Sequence, residues 1–450
     1  MMGYIVYFAA FRADTFVNSP YNMRQDAFSK KTIRGSITDR NGEILARTTV
    51  ADDGTETREY PYGDLFAHVV GYSSSKYGKT GLESAENFEL LTSNAFFVEK
   101  IQNEFNGKKN QGDTVVTTLD ARLQEAASDA LGDYRGAAIV MEADTGKILA
   151  MVSHPDFDPN DISSEWESLN TDEERSPLLN RATRGSYAPG SVFKIITALA
   201  YMRQNPDYAD YTYECTGSVT VGDTTISCAG GTAHGLQDLR TSFANSCNCS
   251  FINIGLQLDL DGYRDTAEDL LFNSELPGVL GYSKGSFVLD KDSPESEIMM
   301  TAMGQGDTMV SPYQMLLITQ AIANDGTLME PYLVDSVTNY TGAEVSRNVP
   351  KSTGRLITSE EAAQLRDYMS AVVSEGTGSV LSDRSYTVAG KTGTAQYSTS
   401  DSERSHSWFT GFTDIDDPDL VITVVTEGSD GSRSGRAVSI AGEILDSYYD

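Results

Sequence analysis

Basic residues are scarce in this 450-residue chain. It has 34 lysines and arginines against 65 aspartates and glutamates, a formal net charge of −31. So acidic a surface argues against a nucleic-acid partner. Cysteine is nearly as rare, at four: Cys215, Cys228, Cys247 and Cys249. No two form a C-x-x-C pair, and the four histidines, His68, His154, His234 and His406, are scattered along the chain. No structural zinc site or other metal is therefore expected. Cys215 and Cys228 flank a turn- and strand-rich stretch, residues 217–227. That arrangement fits a disulfide in an oxidising compartment or two buried thiols equally well. Long apolar runs are missing too. Met1 to Phe11 is apolar and aromatic, but a bilayer span needs about 20 residues. The segment has neither the basic start nor the cleavage site of an ordinary signal peptide. We read it as the end of a membrane anchor that begins upstream, in preference to a segment packed on the domain. There is no internal repeat and no long low-complexity segment.

What is present is a core-forming chain, 39% apolar and long enough for two or three domains. Residues 12–32 are polar and irregular, a tether. Residues 34–47 alternate around Asn41-Gly42, a hairpin signal. Residues 81–91 carry a helical pattern, and residues 108–112 look like a boundary. A larger unit follows, with a strand at 114–118 and a helix capped by Asp120. The stretches 136–142 and 147–153 form a hairpin. Residues 191–323 read as helices broken by loops. Ser311-Pro312 starts one helix, and Thr358 with Glu361 forms a capping box. Late strands cover 386–395, 407–413 and 420–426, and a last helix covers 437–448. Strands early, helices between and strands late predict an α+β domain, its first two strands beside the last three in one antiparallel sheet.

The chemistry centres on Tyr187-Ala-Pro-Gly-Ser191-Val-Phe-Lys194. A Pro-Gly turn leads into an apolar run that a buried helix would carry. Ser191 and Lys194, three apart, share a face of that helix. A serine hydroxyl needs a base, and a lysine becomes one when burial disfavours its ammonium form. Taken alone, S-x-x-K is common and is more often a capping serine followed by a snorkelling lysine. Two further motifs follow in order: Ser246-Cys247-Asn248 before a helical stretch, and Lys391-Thr392-Gly393 on a strand. Ser246 and Asn248 have a rival role as helix caps, and Lys391 as a solvated surface lysine.

S-x-x-K, S-x-N and K-T-G in this order resemble the signature of the penicillin-recognising serine enzymes. Residues 34–42 and Gly81-Leu82-Glu83 resemble pedestal motifs of class B penicillin-binding proteins, and residues 145–160 the opening of their transpeptidase domain. Met303-Gly304-Gln305-Gly306 and residues 406–411 also resemble the family. No glycosyltransferase domain is recognisable, so a bifunctional class A enzyme is not implied. The resemblance implies a penicillin-binding/serine β-lactamase-like domain, an antiparallel sheet flanked by helices with a helical subdomain. It further implies an anchor remnant at 1–18, a pedestal domain at 19–110 and a transpeptidase domain at 111–450.

For function, the resemblance implies a D,D-transpeptidase that β-lactams acylate. Ser191 would attack the penultimate D-Ala carbonyl of a stem peptide, and Lys194 would take its proton. Ser246 would relay a proton to the leaving amine, and Asn248 would bind the substrate amide. Lys391 and Thr392 would meet the terminal carboxylate, and Gly393 would admit the substrate backbone. The N–H groups of Ser191 and Thr394 would form the oxyanion hole. No cofactor is implied. The implied partners are stem peptides, β-lactams, the membrane through the anchor, and a SEDS-type glycosyltransferase, with catalysis outside the cytoplasm. Gly304-Gln305-Gly306 is either a plain loop or a wall of the site. Trp408 and Phe409 are expected to be core aromatics, and His406 a structural or rim residue. Rival readings are a D,D-carboxypeptidase or serine β-lactamase on the same site, or a non-catalytic β-lactam sensor or scaffold. The roughly 110 residues ahead of the catalytic domain argue against a free β-lactamase.

Overall fold

The computed structural model describes residues 30–278, 280–396, 405–428 and 436–450. The expected anchor, and most of the tether, lie outside these residues. Among the described residues no helix is long and apolar enough to cross a membrane. The chain forms two compact units. Among the described residues, one comprises 30–125 with 155–178 and 332–349; the other comprises those within 126–154, 179–331 and 350–450.

In the first unit a six-stranded sheet runs in the order Glu344–Arg347, Val334–Thr338, Thr114–Thr117, Ile37–Thr38, Ile44–Val50, Glu56–Glu59. The expected hairpin is there, with Gly42 at φ +93° in its turn. Asp39 closes that turn by accepting the N–H groups of Asn41 and Glu43, each at 2.8 Å. The 81–91 pattern forms two short helices, Gly81–Ala85 and Asn87–Leu91. Glu83 on the first is fully buried. It meets Arg58 Nε at 2.6 Å and Arg34 Nε at 2.5 Å. Burial alone would raise this carboxyl; the two guanidiniums outweigh it and hold Glu83 below the ordinary carboxylate range.

The second unit is built on a five-stranded antiparallel sheet: β1 (Gly136–Glu142), β2 (Ile148–His154), β3 (Val388–Gln396), β4 (Ser405–Thr413) and β5 (Leu420–Thr426). Their spatial order is β2-β1-β5-β4-β3, so the first two strands do lie beside the last three. Helices cover both faces, which explains why β1 and β5 are buried along almost their whole length and do not alternate between apolar and exposed polar residues. On one face Thr410 Oγ1 of β4 meets Thr319 Oγ1 of the helix Pro312–Ala323 at 2.6 Å. On the other, Ser407 Oγ accepts the Ala437 N–H of the C-terminal helix Arg436–Tyr449 at 3.2 Å. The capping box of Thr358 and Glu361 starts the helix Ser359–Ser374 as expected.

Two expectations are corrected here. The stretch 191–323 is not only helices and loops. It contains two ribbons, Thr212–Cys215 paired with Gly235–Asp238 and Ser218–Val221 paired with Thr224–Ser227. Nor are the cysteines and histidines all scattered. The ligand atoms of Cys215, Cys228, His234 and Cys247 lie within 4.8 Å of one another. Cys215 Sγ and Cys228 Sγ are 3.7 Å apart, two buried thiols rather than a disulfide.

Candidate active site

The site begins at the turn before the central helix. Gly190–Phe193 forms one 3₁₀ turn, and α1 (Lys194–Gln204) continues it. Val192, Phe193 and residues 195–200 of α1 are fully or almost fully buried, as the apolar run requires. Gly190 holds φ +56°, and a methyl group there would lie 2.5 Å from the Thr394 carbonyl oxygen of β3. A side chain on Gly393 would press on Val192 and the Pro189 carbonyl at 3.1 and 3.2 Å. Two glycines therefore let the edge strand β3 lie directly against the Ser191 turn. The turn is fixed from outside as well. Trp408 Nε1 of β4 donates to Ala188 O at 3.2 Å, and Gly190 N–H donates to Gly304 O at 2.7 Å.

All three motifs meet at Ser246. Lys194 Nζ lies 2.7 Å from Ser246 O, 3.3 Å from Ser246 Oγ and 2.8 Å from Asn248 Oδ1. Lys391 Nζ lies 3.0 Å from Ser246 Oγ and 3.0 Å from Thr392 O. Ser246 sits at φ +53°, a conformation costly for a residue with a side chain. The helix α2 (Asn248–Gly255) behind it is capped by neither Ser246 nor Asn248. Its cap is Cys247, whose sulfur accepts the Ser250 N–H at 3.4 Å. The hydroxyl and amide are thus left for the site. Asn248 Nδ2 donates to Ser227 O at 3.1 Å. Ser191 Oγ makes no hydrogen bond to any described residue, so Lys194 is turned to the second motif rather than to the hydroxyl three residues before it.

Both amines are fully buried. Desolvation brings Lys194 down to about 7, with the nearby thiols of Cys247, Cys228 and Cys249 opposing the shift. Lys391 too is held well below the ordinary lysine value, by burial first and by the adjacent Lys194 second. The rings of Phe251 and Phe243 lie 5.4 and 5.5 Å from the two nitrogens and keep water away from them. Two amines sharing one hydroxyl in such surroundings favour holding one proton between them rather than two.

The outer edge of β3 is the third wall. Gln305 pairs with the Gln396 backbone, accepting its N–H at 3.2 Å and donating to its carbonyl at 3.0 Å. Residues 392, 394 and 396 share that side of the strand, so the Thr394 N–H faces away from β4 and toward the Ser191 turn. Gly304-Gln305-Gly306 therefore lines the site. Thr392 Oγ1 meets Thr377 Oγ1 at 2.6 Å. Thr377, Phe243 and Phe251 escaped the sequence reading; only Thr377, between Gly376 and Gly378, carries a local signal. Trp408 and Phe409 are core residues as expected, 1% and 0% exposed. His406 stacks edge-on against Tyr187, and burial lowers it to about 4, which suits a structural ring.

Residues 136–446 match the family described as penicillin binding protein transpeptidase domain, and residues 34–115 the penicillin binding protein A dimerisation domain. The peptidoglycan D,D-transpeptidase PbpA of Mycolicibacterium smegmatis is 32% identical, over 96% of this chain and 92% of that one. The D,D-transpeptidase domain structure from Eggerthella lenta superposes with a TM-score of 0.83 at 32% identity, covering 93% of this chain and 98% of that one. A penicillin G acyl-enzyme complex of penicillin-binding protein A from M. tuberculosis gives 0.83 at 29% identity, covering 93% and 100%. With a lysine-flanked serine at a buried helix start and two amines meeting on a second hydroxyl, the chain belongs to the penicillin-binding proteins, as a class B serine D,D-transpeptidase.

Proposed function

We propose that this D,D-transpeptidase forms its acyl-enzyme on Ser191, with Lys194 as the base. The convergence of Lys194 and Lys391 on Ser246 Oγ, at 3.3 and 3.0 Å, carries the assignment. Neutral Lys194 accepts the Ser191 proton as Oγ attacks the carbonyl of the penultimate D-Ala. The proton passes through Ser246 to the leaving D-Ala nitrogen. Backbone N–H groups of Ser191 and Thr394 hold the oxyanion. The donor peptide adds along the outer edge of β3, as an extra strand does. Lys391 and Thr392 meet its terminal carboxylate, Gly393 admits its backbone, and the second Nδ2 hydrogen of Asn248 binds its amide. An amine from a neighbouring stem then attacks the ester and restores Ser191. Incubating the full chain with a D-Ala-D-Ala stem peptide and an amine acceptor tests this. Amide product should exceed hydrolysis product; hydrolysis alone with acceptor in excess would instead favour a carboxypeptidase.

We also propose a membrane-held enzyme with residues 1–18 toward the anchor, a pedestal over 19–110, and a transpeptidase domain over 111–450 working outside the cytoplasm. The apolar start of the chain and the family resemblance support this, together with a SEDS-type glycosyltransferase as partner. Cell fractionation tests the location, and recovery of the enzyme in the cytosolic fraction would reject it.

A further inference from the structure

Behind Ser246 lies a cluster that acyl transfer does not use. Cys215 ends one ribbon strand, and Cys228 follows another. His234 precedes a third, and Cys247 caps α2. Cys228 Sγ lies 3.7 Å from both Cys215 Sγ and Cys247 Sγ, and Cys215 Sγ lies 3.5 Å from His234 Nδ1. A tetrahedral zinc ion with sulfur at about 2.3 Å and nitrogen at about 2.0–2.1 Å has edges of about 3.8 Å between sulfurs and about 3.6 Å between sulfur and nitrogen. These three spacings match those edges, the remaining ligand pairs lie within 4.8 Å, and both sulfur–sulfur spacings are far longer than a disulfide bond of about 2.05 Å. The three sulfurs are buried and His234 is half-buried, an arrangement that leaves a way in for an ion.

The ribbons also need a staple. Their strands are four residues each, with alternating exposed and half-buried positions. The 218–227 ribbon leans Val219, Val221 and Ile226 on a small buried cluster of Ile252, Met299 and Met303, whereas beneath the joint of the two ribbons the buried side chains are Cys215, Cys228, Cys247 and Cys249, with Tyr213 and Val219 against them. Small ribbons without a larger core are marginal by themselves, and a structural metal is a common remedy.

We propose that Cys215, Cys228, His234 and Cys247 bind one zinc ion, and that this ion fixes the Ser246–Asn248 segment of the active site. The three cysteines bind as thiolates and release their protons to solvent, and His234 binds as the neutral ring. Cys249, its sulfur 3.4 Å from Cys228 Sγ, stands behind the ligands as a thiol that can hydrogen-bond to a coordinated sulfur. Two links run from the ion to the catalytic segment. Cys247 is the residue between Ser246 and Asn248, and Ser227 O, next to Cys228, takes the Asn248 amide. An ion holding Cys228 to Cys247 therefore holds the strained Ser246 backbone in place. Spacing hid the set because its members spread over 247 − 215 = 32 residues without a C-x-x-C pair.

The test is zinc content of the full chain, purified without a histidine tag or chelator, by mass spectrometry of the metal. About one zinc per chain is expected, falling below about 0.1 in Cys215→Ser and His234→Ala and unchanged in His154→Ala. Cobalt substituted for zinc should give the visible absorption of a tetrahedral thiolate site. A wild-type chain without zinc after incubation with the metal, or with a disulfide among these cysteines, overturns the proposal; this decides the matter even if a variant fails to accumulate. The link to Ser246 rests on the acyl-enzyme assignment above. Chelation should slow fluorescent-penicillin labelling at least tenfold, and added zinc should restore it. Zinc bound at full stoichiometry, with labelling unchanged on its removal, would overturn that link while leaving the metal site standing.

Discussion

Lowering the pH should switch off acylation at a point set by the burial of Lys194. An ordinary lysine, near 10.4, is neutral in about one molecule in 2,500 at pH 7. At about 7, where desolvation brings Lys194, about half the molecules hold a neutral amine. The fraction of molecules holding a competent base thus rises roughly a thousandfold at neutral pH, a gain partly offset by the weaker basicity of the amine. The sign follows from the role: a protonated amine cannot accept the Ser191 proton. The second-order rate constant for acylation should therefore fall about tenfold per pH unit below the midpoint and level off above it. The penicillin carboxylate stays ionised throughout that range, so the limb belongs to the enzyme. Fluorescent penicillin labelling, quenched at short times between pH 5 and 9, measures it. A rate constant independent of pH from 5.5 to 8.5, or a midpoint near 10, would refute Lys194 as a buried neutral base.

The other expectations concern the frame around that chemistry. Gly304→Ala puts a methyl 1.8 Å from the Gly190 carbonyl, at φ +81°; acylation should slow at least tenfold, and an unchanged rate would remove this loop from the site wall. Thr377→Ala removes the 2.6 Å contact to Thr392. A neutral hydrogen bond contributes about 1 kcal/mol, so stem-peptide KM should rise about fivefold with kcat nearly constant, and a fall in kcat alone would contradict a carboxylate-binding role for Thr392. In the first unit, Arg34→Ala leaves Glu83 buried with Arg58 as its remaining cation. Urea unfolding should show a loss of about 3 kcal/mol; less than 1 kcal/mol would mean the pair is not a structural tie.

Strands dominated by apolar residues, such as β1 with its Ala-Ala-Ile-Val-Met run and the Val- and Ile-rich β5, were legible because burial on both faces leaves little polar alternation to confuse the pattern. The Ser191–Lys194 face was legible because one helical turn fixes it. The three motifs could be ordered but not joined, since nothing local says that residues 246 and 391 end 3.0 Å apart at a hydroxyl and an amine. Pairing was the harder part. Val334–Thr338 lies beside Thr114–Thr117, more than two hundred residues away in sequence, and such long-range choices leave no local trace. Of the 212–238 ribbons, the strand-rich character of residues 217–227 was legible, while the strands on either side and the pairing were obscured by their shortness. Helix capping misled as well: Ser and Asn are the usual caps, yet Cys247 between them takes the role and frees both for the site. The thiol cluster was invisible for the same reason as the strand pairing, its members being brought together by ribbons that sequence patterning did not resolve.

The central claim, that Ser191 is the nucleophile of a three-motif acyl-transfer site, is most directly tested by mapping the penicillin adduct. The full chain is inactivated with penicillin G, digested, and its peptides sequenced by mass spectrometry. One adduct per chain is expected, on the peptide bearing Ser191, and none in Ser191→Ala. An adduct on Ser246 or on any other residue of the wild-type chain would contradict the account.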